Sequence, residues 1–319
     1  MKFNFKAFIL ALIFCTVLIS VKNVYSCDLN ANIERGLNGA LRMREIDELY
    51  AGSSMFRGLN PYELEKKTER IFILQYAGLD PAMISLLLEN LIDRGLSLKN
   101  FYIDMYAWTA TKQPWLSESI LLFESPFNLK LQIWDLMKQN KNADLISAAW
   151  EMFIHSGNDM FIFWPIYSRL VEGAHHKGGN LKSHYAVKSS SSRKEKFPDI
   201  PEEEFASEIN PLERDAIIKI INLCRENNIN LTFIETPKHS ATNNSKKYQA
   251  IMRKYLNIMN ENNTKCIMAA DTLMKIHAEK SNNITSYEFE HDNLNYFDDY
   301  VHLAPAGNVK FTELLVTIN

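Results

Sequence analysis

The chain has 319 residues, 46% of them apolar and 23% charged, and carries a net charge of −3. These fractions belong to a globular protein, and the weakly acidic balance supplies no basic field of the kind that holds nucleic acid. None of the four cysteines stands in a Cys-x-x-Cys pair, so the sequence offers no metal framework, and it shows no cofactor motif.

Residues 1–26 read as an export segment. Lys2 and Lys6 precede an apolar run over residues 7–21, and this run of 15 residues is shorter than the roughly 20 that span a bilayer. Val24-Tyr25-Ser26 presents small residues where cleavage before Cys27 would need them. Three outcomes stay open: a cleaved signal peptide, a retained membrane anchor with its positive end inside, or lipidation at Cys27. Each puts the body, residues 27–319, outside the cytoplasm. Cys224 and Cys266 belong to that body, and are expected either to pair under oxidising conditions or to sit as small buried hydrophobes.

Residues 46–50 are predicted to form a first strand ending at Gly52, and residues 61–70 a charged helix. Ile71-Phe72-Ile73-Leu74-Gln75-Tyr76 is an apolar run of buried-strand length. Asp80-Pro81 supplies a helix cap followed by proline at the first helical position, so a helix is expected to about residue 93. Residues 101–106 form the third predicted strand. Residues 127–171, rich in Leu, Trp, Phe and Met, have helical spacing and read as two core helices. Residues 173–205 change character: His175-His176, Gly178-Gly179 and the serine run from 189 to 192 indicate a polar, flexible insertion. Asn210-Pro211 caps a helix to about residue 226. A fourth strand is expected at 229–236, a helix at 246–260, a fifth strand at 266–270 and a closing helix at 305–316. Strands that alternate with helices imply a mainly parallel sheet covered on both faces, in a three-layer α/β/α sandwich of flavodoxin-like type. Ligands of such sheets bind outside the carboxyl ends of the strands.

Two short motifs carry chemistry. Gly52-Ser53-Ser54 follows the first strand, and Asp299-Tyr300-Val301-His302 precedes the last helix. A serine hydroxyl needs a base within hydrogen-bond reach, and the base needs a fixed tautomer. Ser54, His302 and Asp299 supply a nucleophile, a base and a carboxylate three residues before that base. Ser53 competes with Ser54 as nucleophile and Asp298 with Asp299 as orienting acid. The alternative role for Ser54 is to cap a helix after the strand. Arg57, one turn past Ser54, is a candidate either for holding an anionic substrate or for a plain surface ion pair.

With these residues the chain resembles the SGNH (GDSL-like) hydrolase superfamily, whose first motif is Gly-Asp-Ser after the first strand and whose last is Asp-x-x-His near the end. The Gly-Ser-Ser version behind an N-terminal apolar segment is similar to a divergent envelope branch that includes D-alanyl-lipoteichoic acid transfer and polysaccharide O-acetylation proteins. The resemblance implies that Ser54 is the nucleophile, and that the N–H groups of Gly78 and Ser54 bind the oxyanion. It further implies an esterase or O-acyltransferase acting on cell-envelope glycans or related esters in the bacterial envelope, with a membrane-bound acyl exporter as a possible partner. The family's third motif, Gly-x-Asn-Asp, is missing after the third strand, where Asp104-Met105-Tyr106 stands. Ser156-Gly157-Asn158-Asp159 resembles it in letters only. That departure keeps a second expectation open, a non-catalytic envelope scaffold on a decayed hydrolase fold.

Overall fold

A computed structural model describes residues 39–75, 79–105, 205–277 and 282–318, together with Gln132 and Asp135. The export segment, the predicted helices at 127–171 apart from Gln132 and Asp135, the Asn158 motif and nearly all of the 173–205 insertion lie outside the described residues. Among those described, no helix is long and apolar enough to cross a membrane.

Six parallel strands form one sheet: β1 (Glu45–Gly52), β2 (Ile71–Gln75), β3 (Ser97–Asp104), β4 (Asn230–Ile234), β5 (Lys265–Ala269) and β6 (Ile284–Tyr287), in the order β2-β1-β3-β4-β5-β6. The described helices include α1 (Pro61–Leu64), α2 (Pro81–Asp93), α3 (Pro211–Glu226), α4 (Ser240–Asn243), α5 (Lys246–Glu261), α6 (Ala270–Lys275) and α7 (Pro305–Ile318), with a 3₁₀ helix at Ser54–Gly58 and a short 3₁₀ turn at Leu294–Tyr296. Strands buried on both faces read as continuous apolar runs, and β2 (IFILQ) is one of them. On one face Leu49, Phe101, Ile103 and Phe233 pack with Leu87 of α2, Ile217 of α3 and Ile251 of α5. On the other, Tyr50, Tyr102, Ile234 and Ile267 pack with Leu64 of α1 and with Phe311 and Leu315 of α7. This is the three-layer sandwich expected from the sequence.

Local signals set the helix starts. Asp80 Oδ1 accepts the Met83 N–H at 2.9 Å and Asn210 Oδ1 accepts the Leu212 N–H at 2.9 Å, each just before a proline that needs no N–H partner. Three expectations require correction. The helix expected over 61–70 ends at Leu64, because Thr68 and Arg70 turn back to hydrogen-bond Asp47 on β1. β3 begins at Ser97, four residues before the apolar run, since its polar amino end still pairs with β1. β6 was not expected at all. It is a four-residue edge strand whose Thr285 and Ser286 are exposed, and it therefore lacks an apolar period.

Cys224 and Cys266 are buried free thiols. Burial pushes the Cys224 thiol up to about 12 and raises that of Cys266 as well, so both behave as core side chains.

Glu213, in the first turn of α3, is only 1% exposed, and among the described residues its Oε1 has no hydrogen-bond partner. Burial, reinforced by the charge of Asp80, pushes its carboxyl up to about 8 despite a hydrogen bond from Tyr255. The folded state thus keeps a proton that the unfolded chain releases above its ordinary value of 4.5, and stability falls as pH rises from there toward 8. Glu213→Gln is expected to flatten that slope, gaining on the order of 2 kcal/mol over wild type at pH 7.5 relative to pH 5 in urea titrations.

Candidate active site

The order β2-β1-β3 places a topological switch between β1 and β3, where the chain leaves the sheet in opposite directions and opens a crevice at the carboxyl edge. The turn after β1 enters that crevice. Gly52 ends the strand, Ser53 is extended with φ −75°, and Ser54 begins the 3₁₀ helix. Ser53, not Ser54, caps that helix: its Oγ accepts the Met55 N–H at 3.3 Å. The Ser54 hydroxyl is thereby left for other work.

That work is a contact across 248 residues of chain. Ser54 Oγ lies 2.9 Å from His302 Nε2. On the far side of the ring, His302 Nδ1 lies 2.8 Å from Asp299 Oδ2. A carboxylate can only accept, so Nδ1 carries the proton and Nε2 presents a lone pair to the serine hydroxyl. Asp299 Oδ1 accepts the backbone N–H groups of Val301 at 2.8 Å and His302 at 2.7 Å. Both oxygens are therefore committed, and the carboxylate is held in one orientation. Asp298 takes no part in the ring contact; its N–H donates to the His302 carbonyl at 2.9 Å. Burial works to raise the Asp299 carboxyl, but the hydrogen bonds from the His302 ring and from the two backbone N–H groups outweigh it. The net shift is below the usual 3.8. The His302 and Asp299 side chains are each 40% exposed, so the pair is reached by solvent.

The loop that bears the base is clamped from three sides. Phe297 bridges Leu303, and the Tyr300 carbonyl accepts both the His239 N–H at 3.2 Å and the Thr242 hydroxyl at 2.7 Å. Asn308 of α7 donates to the Leu303 carbonyl at 3.0 Å. The two halves of the site meet where side chains are missing. A Cβ on Gly58 would fall 1.9 Å from the Asn308 side chain, and one on Gly307 would fall 2.2 Å from the Tyr296 carbonyl. Gly58 thus lets the 3₁₀ helix approach α7, and Gly307 lets α7 pack against the segment that leads into the His302 loop.

Asp104 escaped the reading of the sequence. It ends β3 at the position a Gly-x-Asn-Asp motif would occupy, it is 1% exposed, and it accepts both the N–H and the hydroxyl of Ser53. A Cβ on Gly52 would lie 2.1 Å from Asp104 Oδ2 and 2.8 Å from the Phe56 ring. Gly52→Ala is therefore expected to cost about 2 kcal/mol of stability through overpacking and to displace Asp104 from Ser53. Thermal melts should register the first effect, and a loss of Ser54 reactivity of at least about 100-fold, near 3 kcal/mol of barrier, the second.

Other expected site residues lie elsewhere. Gly78 is outside the described residues. Arg57 belongs to the 3₁₀ helix, but its side chain is outside the described set. The Ser54 N–H, at the start of that helix, makes no hydrogen bond among the described residues and is one of the orphan donors of a helix start. A cavity of about 550 Å³ lined by Asp47, Lys67, Asn100, Asn230 and Lys265 opens at the amino ends of the strands, away from Ser54. Among the described residues, no group of three acidic, His or Cys side chains could hold a metal ion.

No protein-family model matches this chain, and no curated protein does.

Proposed function

We propose that this chain is a serine-dependent acyl-ester hydrolase or O-acyltransferase of the SGNH type, working through an acyl-enzyme on cell-envelope glycans or related esters. One observation carries the reading: the continuous relay from Ser54 Oγ through the His302 ring to a doubly anchored Asp299 carboxylate. Isolated Gly-x-Ser and Asp-x-x-His motifs are common. Their meeting at 2.9 Å, at the switch point of a parallel sheet, is not expected by chance.

In the proposed reaction Ser54 Oγ attacks the acyl carbonyl while His302 Nε2 takes its proton. Asp299 holds the resulting imidazolium and does not itself become protonated. The Ser54 N–H, with that of Gly78 as the family resemblance implies, receives the developing oxyanion; such donors contribute about 3 kcal/mol each. The leaving alcohol takes the proton back from His302. Water or a sugar hydroxyl then enters by the reverse path, and the choice between them separates hydrolysis from transfer. The N-terminal apolar segment supports action outside the cytoplasm, where a membrane-bound acyl exporter would supply the donor.

The reading is tested by intact-mass spectrometry of the full-length protein after exposure to a fluorophosphonate and, separately, to p-nitrophenyl acetate. A single adduct mapping to Ser54 is the expected result. A folded protein that takes no adduct would instead favour a non-catalytic envelope scaffold, the reading to which the missing Gly-x-Asn-Asp motif points.

A further inference from the structure

The helix that follows the base loop, α7, touches both halves of the proposed site. Asn308 and Thr312 lie one turn apart on it, and therefore on one face. The Asn308 amide nitrogen donates to the Leu303 carbonyl at 3.0 Å. A carbonyl oxygen only accepts, so the orientation of the amide follows from this bond. Leu303 directly follows His302 and bridges Phe297, so the Asn308 bond ties the base loop to the start of α7.

The same amide meets the nucleophile segment. Gly58 ends the 3₁₀ helix that Ser54 begins, and a Cβ there would fall 1.9 Å from both Cγ and Nδ2 of Asn308. The Asn308 side chain thus occupies the space that a side chain at position 58 would need. Two residues further on, the Asn60 N–H donates to the Thr312 hydroxyl at 3.0 Å, across 252 residues of chain. Asn60 is itself the cap of α1, its Oδ1 accepting the Tyr62 N–H at 3.0 Å.

Thr312 joins the two contacts. It is 0% exposed, and its hydroxyl gives its one proton to the Asn308 carbonyl at 2.7 Å while its oxygen accepts from Asn60. A threonine commonly bonds back one turn within its own helix, but the bond from Asn60 is long-range and has no such local origin. Without the hydroxyl, a buried backbone N–H would lose its partner. A continuous chain of hydrogen bonds therefore runs from Asn60, just past the Ser54 helix, through Thr312 and Asn308 to Leu303, next to His302.

We propose that Asn308 and Thr312 are positioning residues for the acyl-transfer reaction: one face of α7 holds the end of the Ser54 helix and the residue after His302, and so sets the 2.9 Å contact between Ser54 Oγ and His302 Nε2. Neither residue touches the reacting atoms. The kinetic consequence rests on the acyl-transfer reading, whereas the effect on the Ser54–His302 contact does not.

The test uses the full-length chain with Thr312→Val, Thr312→Ser, Asn308→Ala, Gly58→Ala and the double variant Gly58→Ala/Asn308→Ala. Two quantities are followed at a temperature where melts show the protein folded: the rate of fluorophosphonate labelling at Ser54, and the ¹⁵N chemical shift of His302 Nε2 in histidine-labelled protein. Ser54→Ala marks the shift of a broken contact. Thr312→Val, which keeps the shape and loses the hydroxyl, is expected to slow labelling about 10- to 100-fold and to move the Nε2 shift toward the Ser54→Ala value. Thr312→Ser, which keeps the hydroxyl, should recover most of both. Asn308→Ala should slow labelling at least about 10-fold. Gly58→Ala drives a methyl group into the Asn308 amide and should slow it further, whereas the double variant makes room for that methyl and should label as fast as Asn308→Ala alone. If Thr312→Val fails to fold, the half-buried Asn308→Ala carries the test. Wild-type labelling and a wild-type Nε2 shift in folded Thr312→Val or Asn308→Ala overturn the proposal, as does a double variant no faster than Gly58→Ala. In a protein whose wild type never labels, a moved Nε2 shift would uphold the positioning role and remove the acyl-transfer reading, and an unmoved one would remove both.

Discussion

His302→Ala is expected to lower ester turnover by about 10⁴-fold or more while the protein remains folded. The ring accepts from Ser54 at 2.9 Å and donates to Asp299 at 2.8 Å, so its removal takes away the base and leaves a hydroxyl that is a poor nucleophile at neutral pH. The structural cost is small. The His302 side chain is 40% exposed, and the backbone N–H that donates to Asp299 Oδ1 survives in alanine. A loss of about 1 kcal/mol of stability is therefore anticipated. Steady-state hydrolysis of p-nitrophenyl acetate and a thermal melt, run side by side, separate the two effects. Turnover within tenfold of wild type would mean that another group takes the Ser54 proton.

Asp299→Asn should be nearly as severe for a different reason. The side chain keeps its size, but either orientation of the new amide conflicts with what surrounds it. With its NH₂ toward His302, the ring must carry its proton on Nε2, where it can no longer accept from Ser54. With its oxygen toward the ring, the NH₂ faces the N–H groups of Val301 and His302, which Asp299 Oδ1 now accepts at 2.8 and 2.7 Å. A fall in kcat of about 10³- to 10⁴-fold with KM little changed is expected. The wild-type carboxyl is held below 3.8, so it is ionised wherever the enzyme would work. Its contribution to stability is complete above that value and is lost as pH falls through the depressed one. Asp299→Asn should abolish this acid-side dependence, which urea titration between pH 2 and 5 would show. An Asp299→Asn variant with normal kcat would leave Asp299 a purely structural part of its loop.

Most of the fold was legible because its signals are short in range. A capping side chain reaches two or three residues, as Asp80 reaches Met83 and Asn210 reaches Leu212, and a buried strand such as Ile71–Gln75 declares itself by composition. Elements shaped by distant partners were not legible. Residues 65–70 have helical composition, yet Arg70 is drawn to Asp47 on a neighbouring strand. β6 exists because β5 offers it an edge, with Cys266 opposite Ile284 and Ala269 opposite Tyr287, and nothing within its four residues marks it.

The candidate site divides along the same line. Residue order alone makes the chemistry available: a serine at a strand end, a histidine, and a carboxylate three residues before it, close enough along the chain for Asp299 to orient the ring through local hydrogen bonds. That Ser53 caps the 3₁₀ helix while Ser54 faces His302 is fixed by long-range packing, since the choice depends on a contact 248 residues away. The same packing has Asp104 grip the Ser53 turn and requires Gly52 and Gly58 to lack side chains, because the atoms that would clash belong to β3 and α7. Local hydrogen bonds obey short spacings that can be read along a chain, whereas burial and close approach depend on which segments the folded core brings together.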